Sequence, residues 1–438
     1  MLAGCSATAG LEGQASKPLP LPEGVEVAFN HRAGGRYRSP ITGQWRRGDD
    51  LEAFVLQSIE GAQRQVLVAV QELSLPRVAE ALVRKHQQGL DVRVVLENTY
   101  STPWSQQHDA GLGPHLRRRN AQLRQLGWGD AVLMLQRGGV PMIDDTADGS
   151  AGSGLMHHKF MLIDGHTVVT GSANFTPSCI HGDPDDARTR GNVNHLMRLQ
   201  SPDLAELFAA EFERMWGDGP GGQPDSRFGR EKQAGGPQRV LVHGTPVQVL
   251  FAPHAKKDPN HGLHWIEQLL TTTQHNLDLS LFVFSAQNLS NALGPLHARG
   301  VQIRLLADPG FANRSFSETL DLLGINLPDH RCRLEAGNQP WQQALATVGT
   351  PRLRPGDKLH HKVAVIDQRT VITGSFNWSP SAAHQNDETL LAIESPLLAR
   401  HFSADMDALW RGAELGVTPR LARKLERQRQ QCGSGQAR

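Results

Sequence analysis

Short apolar runs alternate with segments of helical period along this chain, and the order repeats. Val25 to Phe29 alternates as a strand, and Leu51, Phe54, Val55 and Ile59 line one face of a predicted helix over 51–62. Asp49 or Asp50 is placed to cap that helix. Val66 to Val70 is a continuous apolar run, the signature of a strand buried on both faces. Leu75 to His86 reads as an amphipathic helix ended by Gly89, and Val92 to Leu96 as another buried strand. The same succession returns as a strand over 247–251, a helix over 263–270, a strand over 277–284, a helix over 289–297 ended by Gly300, and a strand over 301–306. Gly89 and Gly300 lie 211 positions apart, as do Arg93 and Arg304. Further on, Ser201-Pro202 pairs with Ser395-Pro396, and Trp216 with Trp410, at an offset of 194. The pattern predicts two duplicated, layered α/β domains.

The expected division is a flexible N-terminal segment over 1–22, a first domain over 23–216, a linker over 217–237, a second domain over 238–412 and a basic tail over 413–438. Glycine, proline and charged residues without apolar period mark the linker. Five basic residues between Arg420 and Arg429 predict a short solvated helix in the tail. The drift in offset places two insertions in the first half. Gly138 to Gly154 reads as a mobile loop at the mouth of a cleft, and Cys179 to Arg190 as a second insertion flanking the same place. Arg32 to Arg47 reads as a basic loop.

The most specific signal is a short stretch spelled twice. His157-His158-Lys159 runs through an apolar strand to Asp164 and continues to Gly171-Ser172-Ala173-Asn174. His360-His361-Lys362 runs to Asp367 and continues to Gly374-Ser375-Phe376-Asn377, every matched residue displaced by 203 positions. On a strand, alternate side chains share a face, so His157 joins Lys159 and His360 joins Lys362, while His158 and His361 point the other way. Thr167 to Thr170 and Thr370 to Thr373 read as the returning strands. Imidazole, ammonium, hydroxyl and carboxamide on one surface suit a phosphate, and two such surfaces make a symmetric pair.

The doubled H-x-K-x4-D-x6-G-S-x-N pattern resembles the phospholipase D superfamily, and the resemblance covers the chain from about Val25 to Trp410. It implies two α/β/α sandwich domains related by a pseudo-twofold, with one active site at their interface in a monomer. It further implies a phosphohistidine intermediate, with His157 as nucleophile and His360 as general acid; the residues alone leave the opposite assignment open. Lys159 and Lys362 would balance charge on the phosphoryl oxygens, with Ser172, Asn174, Ser375 and Asn377 donating hydrogen bonds. Family members carry N-x-E after the second segment, matched here by Asn386-Asp387-Glu388, so Glu388 should orient a histidine. The first half departs from this pattern, with Asn194 in place of the carboxylate. Asp164 and Asp367 complete the catalytic set, either as carboxylates for the imidazoles or as turn formers. His181 and His384 share the 203 offset and read as surface-loop histidines or, less simply, as substrate contacts. Two lysines leave no charge for a metal to neutralise, so neither metal nor cofactor is expected. Met156-His157-His158-Lys159-Phe160 resembles the motif of cardiolipin-hydrolase-type members. A phospholipid is the favoured substrate, nucleic acid the alternative, and a silent phosphate-binding protein is disfavoured by two complete motifs.

Composition changes this picture little. A formal net charge of +1 creates no global field toward nucleic acid or an anionic bilayer, though a basic cleft can sit inside a neutral total. No stretch approaches the roughly 18 apolar residues of a membrane span. Leu2-Ala3-Gly4-Cys5 resembles the lipobox of a bacterial lipoprotein, although no charged or apolar region precedes it. That reading puts the protein at the bacterial envelope or periplasm, membrane-associated through Cys5; otherwise the protein is cytoplasmic. Cys179, Cys332 and Cys432 lack C-x-x-C spacing and suggest neither zinc nor a disulfide framework.

Overall fold

The computed structural model describes residues 19–150, 154–183, 186, 188–232 and 234–433. Cys5 and most of the expected N-terminal segment lie outside the described residues. The repeated order of apolar runs becomes two sheets of matching topology. In the first, strands Val25–Phe29, His195–Gln200, Thr167–Gly171, Lys159–Ile163, Gln65–Val70, Asp91–Leu96 and Met142–Asp144 lie side by side in that order. The second repeats it with Thr245–Ala252, Glu388–Glu394, Thr370–Gly374, Lys362–Ile366, Asn276–Leu281, Gln302–Ala307 and Val348–Thr350. Two edge strands, Gln238–Val242 and Glu414–Leu415, extend the second sheet.

Strand alternation sorts the core into layers. Val66, Val68, Met161 and Ile163 pack outward against helices Leu51–Gly61 and Pro76–Gln87. Leu67, Ala69, Phe160 and Leu162 face inward and join Val363, Val365, Leu391 and Ile393 of the other sheet in one shared core. Helices Pro202–Trp216 and Pro396–Trp410 belong to that middle layer through Phe208, Phe212, Leu398 and Phe402. The recurring Ser-Pro pairs start these helices: Ser201 Oγ accepts from Leu204 N at 3.3 Å and Ser395 Oγ from Leu398 N at 3.2 Å. Proline occupies the first helical position, where its missing N–H is not needed. Of the two cap candidates before the first helix, Asp50 takes the role, accepting from Ala53 N at 3.0 Å. Two apolar interiors joined by a third fix the halves against each other, which holds a site between them in register.

Several expectations are corrected. The basic loop over 32–47 contains a two-stranded ribbon, Arg36–Arg38 with Trp45–Arg47. The expected mobile loop over 138–154 supplies the seventh strand, because Met142 and Ile143 give it an apolar pair to lay beside Val94 and Val95. Asp145 then anchors it by accepting from Asn98 N and Met156 N at 2.8 and 3.2 Å. Within the expected linker, Phe228 and Lys232 are both buried. Cys332 and Cys432 form a disulfide, tying the helix Pro419–Cys432 to the loop between the helix Glu318–Leu322 and the strand Val348–Thr350, and Leu421 of the C-terminal helix packs on Leu320 and Leu327. Spacing in sequence could not reveal this pair, since 100 residues separate its members.

The motif aspartates belong to the fold. Asp164 and Asp367 take the left-handed conformation at φ 54° and 49°, which Asp tolerates better than most residues. Each carboxylate collects three backbone N–H groups of a neighbouring turn: Gln63, Arg64 and Gln65 for Asp164, and Gln274, His275 and Asn276 for Asp367, all at 2.7–2.9 Å. These bonds hold both carboxyls below their ordinary range, although burial pushes them the other way. Asp164→Ala should therefore lower unfolding free energy by about 2–3 kcal/mol, the cost of stranding backbone donors, while kcat of the folded fraction stays near wild type. Urea midpoints and kcat check this; a large loss of kcat at unchanged stability would overturn it.

Candidate active site at the interface of the two halves

Each motif histidine lies two residues before a central strand of its own half and is held by the other half. His157 N donates to Asp387 O at 2.9 Å, and His360 N to Val193 O at 3.1 Å. Reciprocal bonds run from Asp387 N to Leu155 O at 2.9 Å and from Val193 N to Lys358 O at 2.7 Å. The rings follow the same cross-over. His157 Nδ1 meets Glu388 Oε2 at 2.8 Å, and His360 Nδ1 meets Asn194 Oδ1 at 3.0 Å. Glu388, expected to orient a histidine, hydrogen-bonds the ring of the histidine of the opposite half. Asn194, the departure from the pattern, occupies the equivalent position. A carboxylate or carbonyl oxygen on Nδ1 selects the tautomer with Nδ1–H and leaves the Nε2 lone pair free.

The lysines share the histidines' side of the strand. Lys159 Nζ donates to His157 O and Lys362 Nζ to His360 O, both at 2.8 Å. Burial lowers the Lys159 ammonium to about 8 and holds Lys362 well below its ordinary value, with Lys159 adding like-charge repulsion. Burial also dominates the imidazoles. It brings His157 down to about 4 despite the opposing pull of Glu388, and holds His360 well below normal, where Lys362 and Lys159 add to the effect. Burial would raise Glu388, but its interactions with His157, Lys159 and Ser375 together keep the carboxyl below its ordinary value. Two buried lysines and two buried imidazoles in one place form an anion site, because a bound phosphate favours their charged forms and relieves the repulsion between them.

The serines do not serve as expected. Ser172 Oγ donates to Asn194 Oδ1 at 2.8 Å, and Ser375 Oγ to Glu388 Oε2 at 2.5 Å. Each also accepts a backbone N–H of the neighbouring strand, from His195 at 3.2 Å and from Thr389 at 2.9 Å. Their hydroxyls are spent on bracing the orienting residues and have no proton left for a phosphate. Asn174 donates to Gln71 Oε1 at 3.2 Å, and the carboxamide oxygens of Asn174 and Asn377 have no hydrogen-bond partner among the described residues. Asp164 and Asp367 stand at the far ends of their strands, roughly 20 Å from the histidines at about 3.3 Å per residue, so neither orients an imidazole. His181 is no surface histidine: it is buried between Glu52 Oε2 at 3.0 Å and the Tyr37 hydroxyl at 2.9 Å. His384 is half-buried and bonds His254 O at 3.1 Å.

Sequence reasoning missed a buried support behind His157. His158 bonds Thr389 Oγ1 at 2.8 Å and Glu211 Oε1 at 3.1 Å. Lys232, from the supposed linker, pairs with Glu211 and reaches Asp387 Oδ1 at 2.7 Å. Asp387 also accepts from Gly229 N at 2.8 Å. Nothing around Lys232 in sequence marks it; only the doubled histidine hints that His158 has a partner. Among the described residues, no group of three or more His, Cys, Asp or Glu is placed to hold a metal ion, and no helix is long and apolar enough to cross a membrane.

A separate groove of about 1250 Å³ is lined by Arg47, Arg188, Arg190, Arg352, Arg354 and Arg420, among others, and includes none of the motif histidines or lysines. Its positive character is local, given the near-neutral total.

Comparison with known proteins agrees with this geometry. The family described as "Cardiolipin synthase, PLD-like domain" matches residues 55–216 and 266–410, one copy on each half. Human mitochondrial cardiolipin hydrolase is 29% identical over 170 residues, 39% of this chain and 56% of that protein. A phospholipase D of Rickettsia bellii is 29% identical over 153 residues, 35% of this chain and 63% of that protein. The chain spans less than two thirds of the length of these curated relatives. In the solved structures, a phosphatidylserine synthase of Haemophilus influenzae aligns over 89% of both chains with a TM-score of 0.52 at 14% identity, a likeness of fold. With its family match lying over both sheets and both histidine-lysine motifs, the chain belongs to the phospholipase D-like family.

Proposed function

We propose that this protein is a phospholipid phosphodiesterase working through a phosphohistidine, with phosphate bound between the two motif lysines. The crossed pairing of His157 with Glu388 and His360 with Asn194 carries the proposal. His157 Nε2 attacks phosphorus; the P–O bond to the leaving alcohol breaks, and His360, which takes up a proton at Nε2 when the anionic phosphate binds beside it, gives that proton to the leaving oxygen. Water or an alcohol then attacks the phosphohistidine, returning its proton to His360. The unequal partners suit unequal tasks. Phosphorylated His157 keeps its Nδ1 proton and so carries positive charge, which Glu388 stabilises by charge. His360 faces only a neutral amide, so its imidazolium is a stronger acid and gives up its proton readily. The names of the aligned relatives favour a lipid substrate. A nuclease is the second reading, favoured by the arginine-lined groove, which could follow a polyanionic backbone.

Turnover of phosphatidylcholine, cardiolipin and single-stranded nucleic acid, side by side in EDTA, separates these readings. We expect a lipid to be cleaved, with activity retained because the lysines supply the charge. Cleavage of nucleic acid alone would favour the second reading, and activity restored only by a specific ion would contradict the mechanism. His360→Asn should lose about 10²- to 10⁴-fold on substrates with alkoxide leaving groups and far less on a p-nitrophenyl diester, whose phenolate leaves without a proton. Equal losses on both would remove His360 as the acid.

The pH dependence follows from the same pair. Protonation of His157 removes its lone pair, so the acid limb of kcat/KM should lie well below pH 6.5, toward the value of about 4 that burial imposes. Glu388 raises that value, so Glu388→Gln should move the limb to still lower pH while reducing kcat. Asn194→Ala carries no charge change at His157 and should reduce kcat without moving the limb. Equal limb shifts in both variants would contradict the division of roles.

A further inference from the structure

The halves diverge most on the walls beside their histidines. Gln71 and Phe282 occupy equivalent places: Gln71 N donates to His158 O at 3.1 Å, and Phe282 N to His361 O at 2.7 Å. The first-half wall continues in polar groups, with Glu72 paired to Arg119 at 3.4 Å and Arg119 lying 5.3 Å from the Tyr100 ring centre. The second-half wall is aromatic. The Phe282 ring lies 4.7 Å from the His360 ring and 4.7 Å from Phe311, and Phe311 lies 6.5 Å from Phe316. Phe282 and Phe311 are half-buried, whereas Phe316 is 41% exposed. A row of three phenylalanines thus leads from the catalytic histidine to the surface. Core packing does not account for its outer end, since a solvated phenylalanine forfeits its burial.

We infer that Phe282, Phe311 and Phe316 form an apolar subsite that seats a hydrocarbon chain of the substrate beside His360; this rests on the phosphodiesterase reading above. The rings themselves discriminate among occupants. Phe282 already has Lys362 Nζ at 5.0 Å and Lys358 Nζ at 6.0 Å from its centre, so a substrate cation there would meet like charge. Phe282 and Phe311 are inclined at 72° and Phe311 and Phe316 at 51°, so no two rings form the parallel platform on which successive bases stack. Phenylalanine has no polar handle to read a base edge. An irregular wall of ring edges and faces suits a flexible alkyl chain, which gains by area and needs no set orientation. The phosphate is held by the lysines and the chain runs outward along the ladder, while a polar group faces Gln71 and Arg119.

Calorimetric titration of the intact protein with alkyl phosphates from butyl to octyl tests the subsite independently of turnover. Full burial of a methylene corresponds to about a fourfold change in affinity, so a half-exposed ladder should give roughly twofold per methylene. Phe316→Ala should leave butyl phosphate unaffected and flatten the gain from hexyl to octyl. Phe311→Leu should preserve the slope, Phe311→Ala should flatten it from butyl onward, and Gln71→Ala should leave it intact. A wild-type affinity independent of chain length, or a slope unchanged in both alanine variants of the ladder, would overturn the inference. So would a larger loss for thymidine 5′-phosphate than for octyl phosphate, which would make the ladder a base-stacking surface. Parallel turnover of bis(p-nitrophenyl) phosphate reports on the phosphodiesterase reading: its absence beside an intact chain-length slope would sink that reading and leave the subsite.

Discussion

The bond on which the site depends is the one that leaves its own half: His157 to Glu388, mirrored by His360 to Asn194. A buried imidazole beside two buried lysines is unfavourable in isolation, since burial and like charge both act against it. The fold answers by bringing in the opposite half at backbone and side chain together. Asp387 O and Val193 O fix the main chain of the two histidines, and the neighbouring Glu388 and Asn194 fix the rings. The shared middle core keeps these four short contacts in register. Neither half contains a complete site, which gives the duplication a physical reason.

Symmetry in backbone and asymmetry in side chains divide the labour. The helix after each sheet offers an acid to the second motif histidine: Glu211 to His158 and Asp405 to His361. The first also pairs directly with Lys232. Burial pushes Asp405 up to about 7, against the weaker pull of Arg32 and Arg190. The Lys232 chain runs on to Asp387, whose carbonyl accepts from His157, so the stiffer support lies behind the histidine proposed to form the covalent bond. The aromatic wall lies on the other side, against the histidine proposed to give up a proton.

The duplication, the layered α/β class and both histidine-lysine pairs were legible because they rest on local period and exact spacing. Glu388 was legible through its own spacing, and Asn194 through the offset between halves, though not that each serves the opposite histidine. What escaped depends on contacts distant in sequence. Ser172 and Ser375 have the composition of phosphate ligands, yet their neighbours in space are Asn194 and Glu388, which take the hydroxyl protons first. Asp164 and Asp367 match a motif position, but strand length carries them away from the chemistry to close turns. The Cys332–Cys432 bridge, the buried Lys232 and the strand Met142–Asp144 arise in segments rich in glycine or charge, where no period announces structure.

The central claim is that the two halves make one covalent mechanism, with the carboxylate-held histidine as nucleophile. Acid quenching of wild-type protein during turnover of a phosphorus-labelled diester, followed by peptide mapping, tests it directly. The account predicts an acid-labile phosphate on the peptide containing His157, absent in His157→Asn. Label confined to the His360 peptide would reverse the assignment, and turnover with no phosphorylated histidine at any time would contradict the mechanism.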